Sequence, residues 1–405
     1  MKILLANKYF YRKGGSDTSF YETGRLLEKR GHKVIYFSMK HPRNLASPYE
    51  RYFVSNVDYE KDGIRNGVNA SLKLLYSVEA KRKLEALIRD ERPDVAHLHS
   101  VYHQISPSII HSLKKNNVPV IMTLHDYKMV CASYSMLNNE TACEACKNGR
   151  YYHCFLKGCV KASRAKSVLN TIEMYLHHKF LHIYDLVNLY ISPSKFLKNK
   201  IIEMGFKREV TLLPYFMVLN EHIPQYSCKR KNIIYFGRLS REKGIITLID
   251  AVKGLNTTLE IIGEGPIKER LEAKVKSQGL SNVKILGYKL GNDLKNAIRD
   301  SMFVVVPSEW YENYPFSVIE SFSLGKTVIG SKIGGIPELV KDNDTGLTYE
   351  PGNVQDLKTK IQQLLSDPST TLRMGKNGRD FVEQELNEQK HYQRLVEIYH
   401  RAIEE

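Results

Sequence analysis

The chain has 405 residues, which is too long for one ordinary hydrophobic core and predicts two or three domains. Its hydrophobic content of 42% and its single tryptophan are typical of a soluble globular protein. No run approaches the roughly 18 apolar residues of a membrane-spanning helix. The opening stretch, MKILLANKYFYRKGG, lacks the apolar segment of a signal peptide because KYFYRK interrupts it, so we expect a cytoplasmic protein.

The net charge of +16 is concentrated in the first half of the chain. Residues 1–210 hold 34 Lys and Arg against 19 Asp and Glu, whereas residues 211–405 hold 26 against 25. A generally basic proteome would explain the excess. An anionic partner, such as a membrane surface, a phospholipid-like acceptor or a nucleic acid, would explain it as well. The basic runs KRK (81–83) and KASRAK (161–166) would supply such a face.

In chain order, the first half alternates predicted strands and helices. A glycine turn at 14–15 follows the first strand and opens a helix that runs to about Arg30. The regular pattern fails after Asp126 and resumes at residue 187. The predicted strands are ILLAN (3–7), KVIYFS (33–38), DVAHLHS (94–100), VPVIMTLHD (118–126) and VNLYISPS (187–194).

A crossing segment, LPYFMVLN (213–220), leads to a second alternating series. Its strands are NIIYFG (232–237), TLEIIG (258–263), NVKILG (282–287), MFVVVP (302–307) and KTVIGS (326–331). Two successive β-α-β series predict an α/β protein with two doubly wound parallel sheets. Ligands of such sheets bind beyond the carboxyl ends of the strands, where the polar and glycine residues of both series stand.

Three turns between strands and helices are candidates for binding phosphate. FGRLSREKG (236–244) carries Arg238 and Lys243, and two cations beside a helix N-terminus suit a diphosphate. Two solvated basic residues in a turn would give the same pattern. IIGEGP (261–266) and KGGSDTSF (13–20) are either ordinary tight turns or places where backbone amides approach a phosphate.

The segment ENYPFSVIE (312–320) places two glutamates eight residues apart. Pro315 is predicted at the first helical position, and Gly325 ends the helix. Glu320 then has apolar neighbours one turn away on both sides, and a buried carboxylate without a partner is costly. Its partner is either a neighbouring Lys or Arg or a bound ligand.

Together, GRLSREKG, IIGEGP, ENYPFSVIESFSLGKTVIGSKIGGIPE (312–338) and NDTGLTYEPGN (343–353) resemble the retaining glycosyltransferases of family 4, including those of capsular, exopolysaccharide and cell-surface polysaccharide synthesis. The resemblance implies the GT-B fold, in which two Rossmann-like domains face each other across a cleft. It implies an acceptor-side domain at 1–190 with a cysteine-containing insertion at about 127–165. A nucleotide-sugar domain at 191–385 and a C-terminal helix at 386–405 that packs on the first domain would follow.

The resemblance also implies roles for donor-side residues. Glu320 would accept hydrogen bonds from both ribose hydroxyls, and Glu312 would hold the sugar beside its anomeric carbon. Arg238 and Lys243 would neutralise the departing diphosphate. The further donor-binding positions are Gly237, Gly263, Glu264, Gly265, Gly287, Tyr288, Asn313, Tyr314, Pro315, Phe316 and Ser317.

In the first half, the resemblance assigns His125 to a sugar hydroxyl. Asp126 would orient that histidine or approach the acceptor. The histidines of HLHS (97–100) are expected to be structural. Gly14 and Gly15 would form the phosphate or acceptor loop.

The mechanism implied by the resemblance needs no protein nucleophile. The acceptor hydroxyl would attack from the face that the diphosphate leaves, and a phosphate oxygen would take its proton. No DxD-type motif ends a strand, so catalysis should need no metal. The donor would be a UDP- or GDP-sugar, and the acceptor a glycan or a polyprenyl-phosphate-linked saccharide at the inner face of the membrane.

Two segments depart from the family pattern. Pro214-Tyr215-Phe216 stands where many members have Pro-Asn-Gly, and Ser16-Asp17 replaces a commoner small-Glu pair. The first departure puts the hinge contacts in doubt, and the second puts the acceptor contacts of the first loop in doubt.

The stretch CEACKNGRYYHCFLKGC contains Cys143, Cys146, Cys154 and Cys159. The C-x2-C and C-x4-C spacings suit a structural zinc ion. Reduced thiols explain the cluster equally well, because a cytosolic location disfavours permanent disulfides. An iron–sulfur or redox role is the third alternative.

Two other function classes fit part of the sequence. A basic zinc-containing nucleic-acid-binding protein would explain the charge and the cysteines, but not the E-x7-E region or Arg238 and Lys243. A non-catalytic scaffold with the transferase fold is disfavoured because the donor-side residues are all present. We therefore expect no nucleic-acid partner.

Overall fold

The computed structural model describes residues 1–56, 73–103, 105–226 and 231–405. The chain forms two compact α/β units. The first unit comprises Met1–Met136, Cys143–Pro214 and His391–Glu405. The second comprises Leu137–Ala142 and Tyr215–Lys390. In the described part of the chain, no helix is both long and apolar enough to cross a membrane.

The first half of the chain alternates strands with helices up to β4 and again from β7. The elements are β1 Lys2–Ala6, α1 Gly15–Lys29, β2 Lys33–Phe37, α2 Val78–Glu91, β3 Val95–Leu98, α3 Ser108–Lys115, β4 Val120–Thr123, β5 Leu137–Asn138, β6 Thr141–Ala142, α4 Tyr152–Lys157, α5 Arg164–Tyr175, β7 Leu189–Ser192, α6 Lys195–Glu203 and β8 Val210–Leu212. The short strands β5 and β6 pair only with each other, antiparallel.

The first sheet is parallel and has the strand order β2-β1-β3-β4-β7-β8. Strands β3, β4 and β7 are buried along their whole length, as expected for a parallel sheet covered on both faces. The order reverses direction between β1 and β3, so the loops after these two strands flank the position where such sheets bind ligands.

The remaining elements repeat the alternation. They are β9 Asn232–Phe236, α7 Ile245–Ala251, β10 Thr258–Ile262, α8 Lys268–Ser277, β11 Val283–Ile285, α9 Gly291–Asp300, β12 Phe303–Val306, α10 Phe316–Ser323, β13 Val328–Ser331, α11 Ile336–Leu339, β14 Gly346–Tyr349, α12 Val354–Ser366, α13 Pro368–Glu385 and α14 Glu388–Glu404. The sheet order is β11-β10-β9-β12-β13-β14, all parallel. The loops after β9 and β12 therefore meet at its switch point.

The unit boundaries differ from the predicted domains. The sequence placed the first boundary near residue 190, but the first unit continues to Pro214 because β7 and β8 extend its sheet. Part of the predicted insertion, Leu137–Ala142, groups with the second unit, where Glu140 pairs with Arg241. The last helix, α14, lies mostly in the first unit, where the Tyr399 hydroxyl is 2.8 Å from His97 Nδ1.

The helix of the E-x7-E segment begins one residue later than predicted. Pro315 is the residue before α10, not its first residue, because its backbone is extended with ψ near 120°. The Val318 N–H donates to the Pro315 carbonyl at 3.1 Å and closes the first turn. Ser323 ends the helix, and Gly325 follows with φ +77°.

Candidate functional site

A buried ion pair lies where the loops after β9 and β12 meet. Lys243 Nζ donates to Glu312 Oε1 at 2.5 Å, and Ser308 Oγ donates to the same oxygen at 2.7 Å. The ammonium also lies 5.1 Å from the centre of the Trp310 ring. Burial by itself would raise the pKa of Glu312, but the charge and hydrogen bond of Lys243, with Ser308, hold that pKa below its ordinary value.

The glycine pair after β13 closes around Glu312. Gly334 has φ +65°, and a Cβ there would lie 2.3 Å from the Glu312 carbonyl oxygen. The Gly335 N–H donates to that carbonyl at 2.8 Å. Only glycine permits this approach at Gly334, so the GG of KIGGIPE fixes the backbone that carries Glu312.

Glu320 lies in the middle of α10, and its carboxylate has a different environment. Burial raises the pKa of Glu320 to about 7, and the charge of Lys295 opposes that rise only partly. Within the described residues, the carboxylate makes no ion pair or hydrogen bond, and the Lys295 ammonium donates to the Glu221 carbonyl at 2.7 Å. The alternative of a buried ion pair at Glu320 is thus not found in this part of the chain.

Arg238 follows β9 and is exposed, in contrast to the half-buried Lys243. The glycine turns around Arg238 pack on one another. A Cβ at Gly263 would lie 1.8 Å from the Gly237 carbonyl oxygen, and the Gly263 N–H donates to Gly287 at 2.8 Å. Close backbone packing therefore explains Gly263 without a ligand, and Glu264 pairs with Lys268 at 2.7 Å on the surface.

The departure at Pro214-Tyr215-Phe216 has a local explanation. The Tyr215 ring stacks on Phe316 at 4.8 Å and lies 6.0 Å from Tyr314. Tyr314 is buried, whereas Tyr288, in the loop after β11, is 62% exposed. The Asn313 and Ser317 side chains are partly exposed beside this aromatic group. An aromatic residue at Tyr215 thus supports the start of α10 by packing.

In the first unit, the ends of β3 and β4 bring three histidines together. His99 Nδ1 and His125 Nε2 share a hydrogen bond at 2.9 Å, and their rings stack with centres 5.1 Å apart. Burial lowers the pKa of His125 to about 3, so this imidazole is neutral near pH 7. His97 bonds Tyr399 and Thr123, as expected for a structural histidine.

Asp126 is next to His125 and accepts a hydrogen bond from the Lys128 backbone N–H at 2.9 Å. Burial raises the pKa of Asp126 to about 6. The Lys128 side chain forms a buried ion pair with Glu173 on α5, with Nζ 2.6 Å from Oε2. The turn that carries His125 and Asp126 is thus attached to α5.

The glycine turn after β1 opens α1 as predicted. Gly15 is the first residue of α1, and Gly14 precedes it with extended backbone and open space around its Cβ position. Behind this turn, Asn7 Nδ2 donates to Asp17 Oδ1 at 2.9 Å. The variant residue Asp17 therefore has an internal partner.

The cysteines of the insertion gather around a small core. Cys146, Cys154 and Cys159 pack with Tyr151 and Met174. A hydrogen bond with the Cys159 thiol lowers the pKa of Cys154, whereas burial raises the pKa of Cys146 to about 12. Cys143 and the other cysteines that the structure describes are free thiols. No group of three or more His, Cys, Asp or Glu in the described ranges is arranged to hold a metal ion.

Sequence reasoning missed several contributors to these sites. Ser308 was expected only as a polar residue at a strand end, and its hydrogen bond to Glu312 was not predicted. Trp310 stands in the same loop, and its position after a buried strand could have indicated it. His99 was expected to be structural only, yet it is the hydrogen-bond partner of His125. The Lys128–Glu173 pair joins residues 45 apart and had no sequence signal.

Comparisons with known proteins extend over the whole chain. An uncharacterized glycosyltransferase of Methanocaldococcus jannaschii is 24% identical over 384 residues, covering 94% of this chain and 93% of the relative. An uncharacterized 42.6 kDa protein in the cps region of Klebsiella pneumoniae is 26% identical, covering 84% and 87%. The crystal structure of Anabaena Alr3699/HepE in complex with UDP-glucose superposes with a TM-score of 0.66 at 16% identity, covering 98% of this chain and 99% of that one.

Two family models match consecutive parts of the chain. The model described as Glycosyltransferase Family 4 matches residues 13–217, which is half of the chain. The model described as Glycosyl transferases group 1 matches residues 222–381 and so includes both glutamates of the E-x7-E segment. The two parallel sheets agree with the GT-B architecture of the structural neighbours. The chain is therefore a GT-B glycosyltransferase that belongs to family 4.

Proposed function

We propose that the protein is a retaining, metal-independent glycosyltransferase that moves a hexose-type sugar from a UDP- or GDP-sugar to a hydroxyl group. The acceptor is a glycan or a lipid-linked saccharide in cell-surface polysaccharide synthesis. The observation that carries the donor half of this proposal is Glu320, whose partly buried carboxylate lacks a protein partner within the described residues. Hydrogen bonds from two ribose hydroxyls would satisfy it, each contributing about 1.5–3 kcal/mol.

The diphosphate would bind near Arg238 and Lys243. Arg238 is exposed after β9 and can reach a ligand without losing a partner in the described structure. Lys243 is paired with Glu312, so a bound donor would share the ammonium between its phosphate and the carboxylate. Cations placed in advance where charge develops on the leaving group stabilise the transition state.

Glu312 would bind the sugar hydroxyls. Its lowered pKa keeps the carboxylate ionised and able to accept hydrogen bonds at neutral pH. Because Lys243 and Ser308 both donate to Oε1, Oε2 has lone pairs available for a sugar. The remaining donor contacts would come from the α10 start at Asn313 to Ser317 and from the glycine turns.

The first unit would supply His125 and Asp126 to the reaction. A neutral His125 donates or accepts a hydrogen bond with a sugar hydroxyl without adding positive charge. The remaining acceptor contacts would come from the Gly14-Gly15 turn. The attacking hydroxyl would lose its proton to a donor phosphate oxygen, so neither residue is assigned as a nucleophile.

Two observations favour particular acceptors. A relative encoded in a cps region favours a polysaccharide acceptor. The charge excess in residues 1–210 favours an acceptor held at an anionic membrane surface, such as a polyprenyl-phosphate-linked saccharide. We place the reaction in the cytoplasm at the inner face of the membrane.

The structural zinc alternative is part of this proposal. Four thiols in C-x2-C and C-x4-C spacing, three of which (Cys146, Cys154 and Cys159) pack on one small core, would supply the sulfur ligands that zinc prefers. The ion would hold the loop of Cys143 and Cys146 to α4 and to the turn after it, and it would take no part in sugar transfer. Reduced thiols remain the competing explanation.

The experiment is a donor-panel assay. The purified chain is incubated with UDP- and GDP-sugars and with saccharide acceptors, with and without a chelator, and the anomeric configuration of the product is read by NMR. We expect transfer from one donor with retained configuration and unchanged rates in the chelator. An inverted product would refute the retaining part. Transfer that the chelator abolishes and that Mg²⁺ or Mn²⁺ restores, but Zn²⁺ does not, would refute the metal-independent part, because Zn²⁺ would restore a structural site.

A further inference from the structure

Helices α4 and α5 of the first unit present an exposed apolar face. On α4, Tyr152, Phe155 and Leu156 are exposed, with Leu156 at 62%. On α5, Val168 and Ile172 stand one turn apart and are exposed as well. Phe180, in the π-helical turn after α5, is 77% exposed. Such a concentration of large apolar side chains on one small substructure is unusual for a surface that faces only water.

The two helices pack so that their exposed sides are neighbours. The Thr171 hydroxyl donates to the Tyr151 carbonyl at 3.4 Å, and the rings of Tyr151 and Tyr175 are 5.4 Å apart. Tyr152 follows Tyr151 in the sequence, and Ile172 follows Thr171. The buried sides of both helices meet in the small core that contains Cys154 and Met174. Because α4 and α5 pack side by side, their exposed apolar residues lie on neighbouring parts of the surface of the first unit.

The same substructure is strongly basic. Residues 145–181 contain seven Lys and Arg and a single acidic residue, Glu173. Glu173 is buried and paired with Lys128, so it does not reduce the surface charge. All seven cations are exposed. Lys147 pairs with Glu203 at 3.6 Å at the edge of this group, and in the other basic run Lys83 pairs with Glu79 at 3.3 Å.

We infer that the α4–α5 face is a membrane-docking surface that inserts its apolar side chains among the lipids of an anionic bilayer. An apolar surface bordered by Lys and Arg matches the boundary between acyl chains and anionic headgroups. A second copy of this chain matches less well, because a two-fold contact would bring the same cations together. The inference does not rest on sugar transfer, since lipid binding is measurable without any donor.

Docking here would orient the first unit through α5. The buried side of α5 carries Glu173, whose ion pair with Lys128 leads to the turn of His125 and Asp126. A bilayer that contacts the outer side of α5 would therefore lie at a fixed distance and orientation from the turn of His125 and Asp126. A lipid-linked acceptor would enter from a constant direction.

The test is vesicle co-sedimentation of the full chain. Vesicles of phosphatidylcholine alone are compared with vesicles that also contain phosphatidylglycerol. The apolar variant is Phe155→Ser/Leu156→Ser, and its matched control is Leu45→Ser, an exposed leucine elsewhere in the first unit. The charge variant is Lys161→Glu/Arg164→Glu/Lys166→Glu, with Lys114→Glu/Lys115→Glu as control on exposed residues of α3.

We expect the wild type to bind anionic vesicles in preference to neutral ones. The apolar variant should bind roughly tenfold more weakly, and the charge variant roughly fivefold more weakly for each charge removed. Both controls should bind as the wild type does. Thermal melting of each variant shows whether it is folded, and these substitutions are at the surface.

Three outcomes would overturn the inference. If the apolar variant binds anionic vesicles as tightly as the wild type does, the binding is electrostatic adsorption without insertion of side chains. If Leu45→Ser or the α3 control loses as much vesicle binding as the matching variant of the α4–α5 face, no particular face of the protein is used. Concentration-dependent self-association that the apolar variant abolishes, with lipid binding unchanged, would assign the face to a second copy of the chain.

Discussion

Lys243 and Glu312 stand 69 residues apart in sequence, yet Lys243 Nζ lies 2.5 Å from Glu312 Oε1 in the second unit. The family resemblance gives the lysine to the diphosphate and the glutamate to the sugar. In this structure the two residues form an ion pair with each other. A donor would therefore enter a site whose charges are already balanced and whose geometry is already fixed, which reduces the reorganisation that catalysis requires.

The stability of the ion pair can be measured with single and double variants. Lys243→Met should lower the free energy of unfolding by roughly 3 kcal/mol, because it leaves the Glu312 carboxylate buried without its cation. Lys243→Met/Glu312→Gln should recover most of that loss. Urea unfolding of the free protein measures both values. Lys332→Met, which breaks the exposed pair with Glu350, is the control and should cost less than about 1 kcal/mol. A Lys243→Met variant as stable as the wild type would contradict the coupling.

Glu320 should make the stability of the folded protein depend on pH. The pKa of Glu320 is about 7 in the folded protein and 4.5 ordinarily. Ionisation of this carboxylate therefore lowers the free energy of unfolding fully above pH 7 and not at all below pH 4.5. Glu320→Gln should thus stabilise the free protein at about pH 8 by up to about 3 kcal/mol, less where water reaches the carboxylate. It should have little effect at about pH 5. Equal effects at both pH values in urea unfolding would show that the carboxylate is not the titrating group.

Arg238 is exposed, and its side chain makes no hydrogen bond or ion pair within the described residues, so its loss should affect catalysis more than folding. Arg238→Ala should lower kcat by about 10²–10³, as removal of one preorganised donor does. Its melting temperature should stay that of the wild type. Steady-state kinetics with the preferred donor measure the change, with the exposed Arg270→Ala as control. Near-normal turnover in Arg238→Ala would reject the leaving-group role.

Asp126 should produce an acidic limb in the pH–rate profile. Burial raises its pKa to about 6, so the carboxylate is ionised above that pH and neutral below it. If the ionised form orients His125 or the acceptor, kcat/KM should fall as the pH drops below about 6. Asp126→Asn should have lower activity and no limb at this pH. A limb that persists unchanged in Asp126→Asn would belong to another group.

The cysteine cluster gives a prediction that separates zinc from reduced thiols. If zinc is bound, native mass spectrometry should find one metal ion, and Cys143→Ser/Cys146→Ser should lose it together with stability. The Cys131→Ser variant serves as control, because Cys131 lies outside the C-x2-C and C-x4-C pairs. A metal-free protein that is stable and active would establish the reduced-thiol explanation.

Sequence reasoning predicted both sheets because parallel buried strands are continuous apolar runs with clear ends. It did not predict the Lys243–Glu312 pair, because β9 and β12 become neighbours only through a crossover over two intervening strands. The His99–His125 bond was missed for a different reason: β3 and β4 are consecutive strands with adjacent ends, but the sequence does not show which side chains face each other there. The boundary near residue 190 was placed too early for two reasons. The strand β8 was not predicted, and the sequence of the strand at 187–194 does not indicate which sheet it joins.

Calorimetric titration of the free nucleotides UDP and GDP into three proteins tests whether Glu320 binds the donor nucleotide. These are the wild type, Glu320→Ala and Glu269→Ala, the last an exposed glutamate on α8 that serves as control. We predict that one nucleotide binds the wild type and Glu269→Ala equally, and that Glu320→Ala binds it at least about tenfold more weakly because the ribose loses its charged acceptor. Equal affinity in all three proteins, or no binding of either nucleotide to the wild type, would contradict the assignment of Glu320 and of the second unit to the donor.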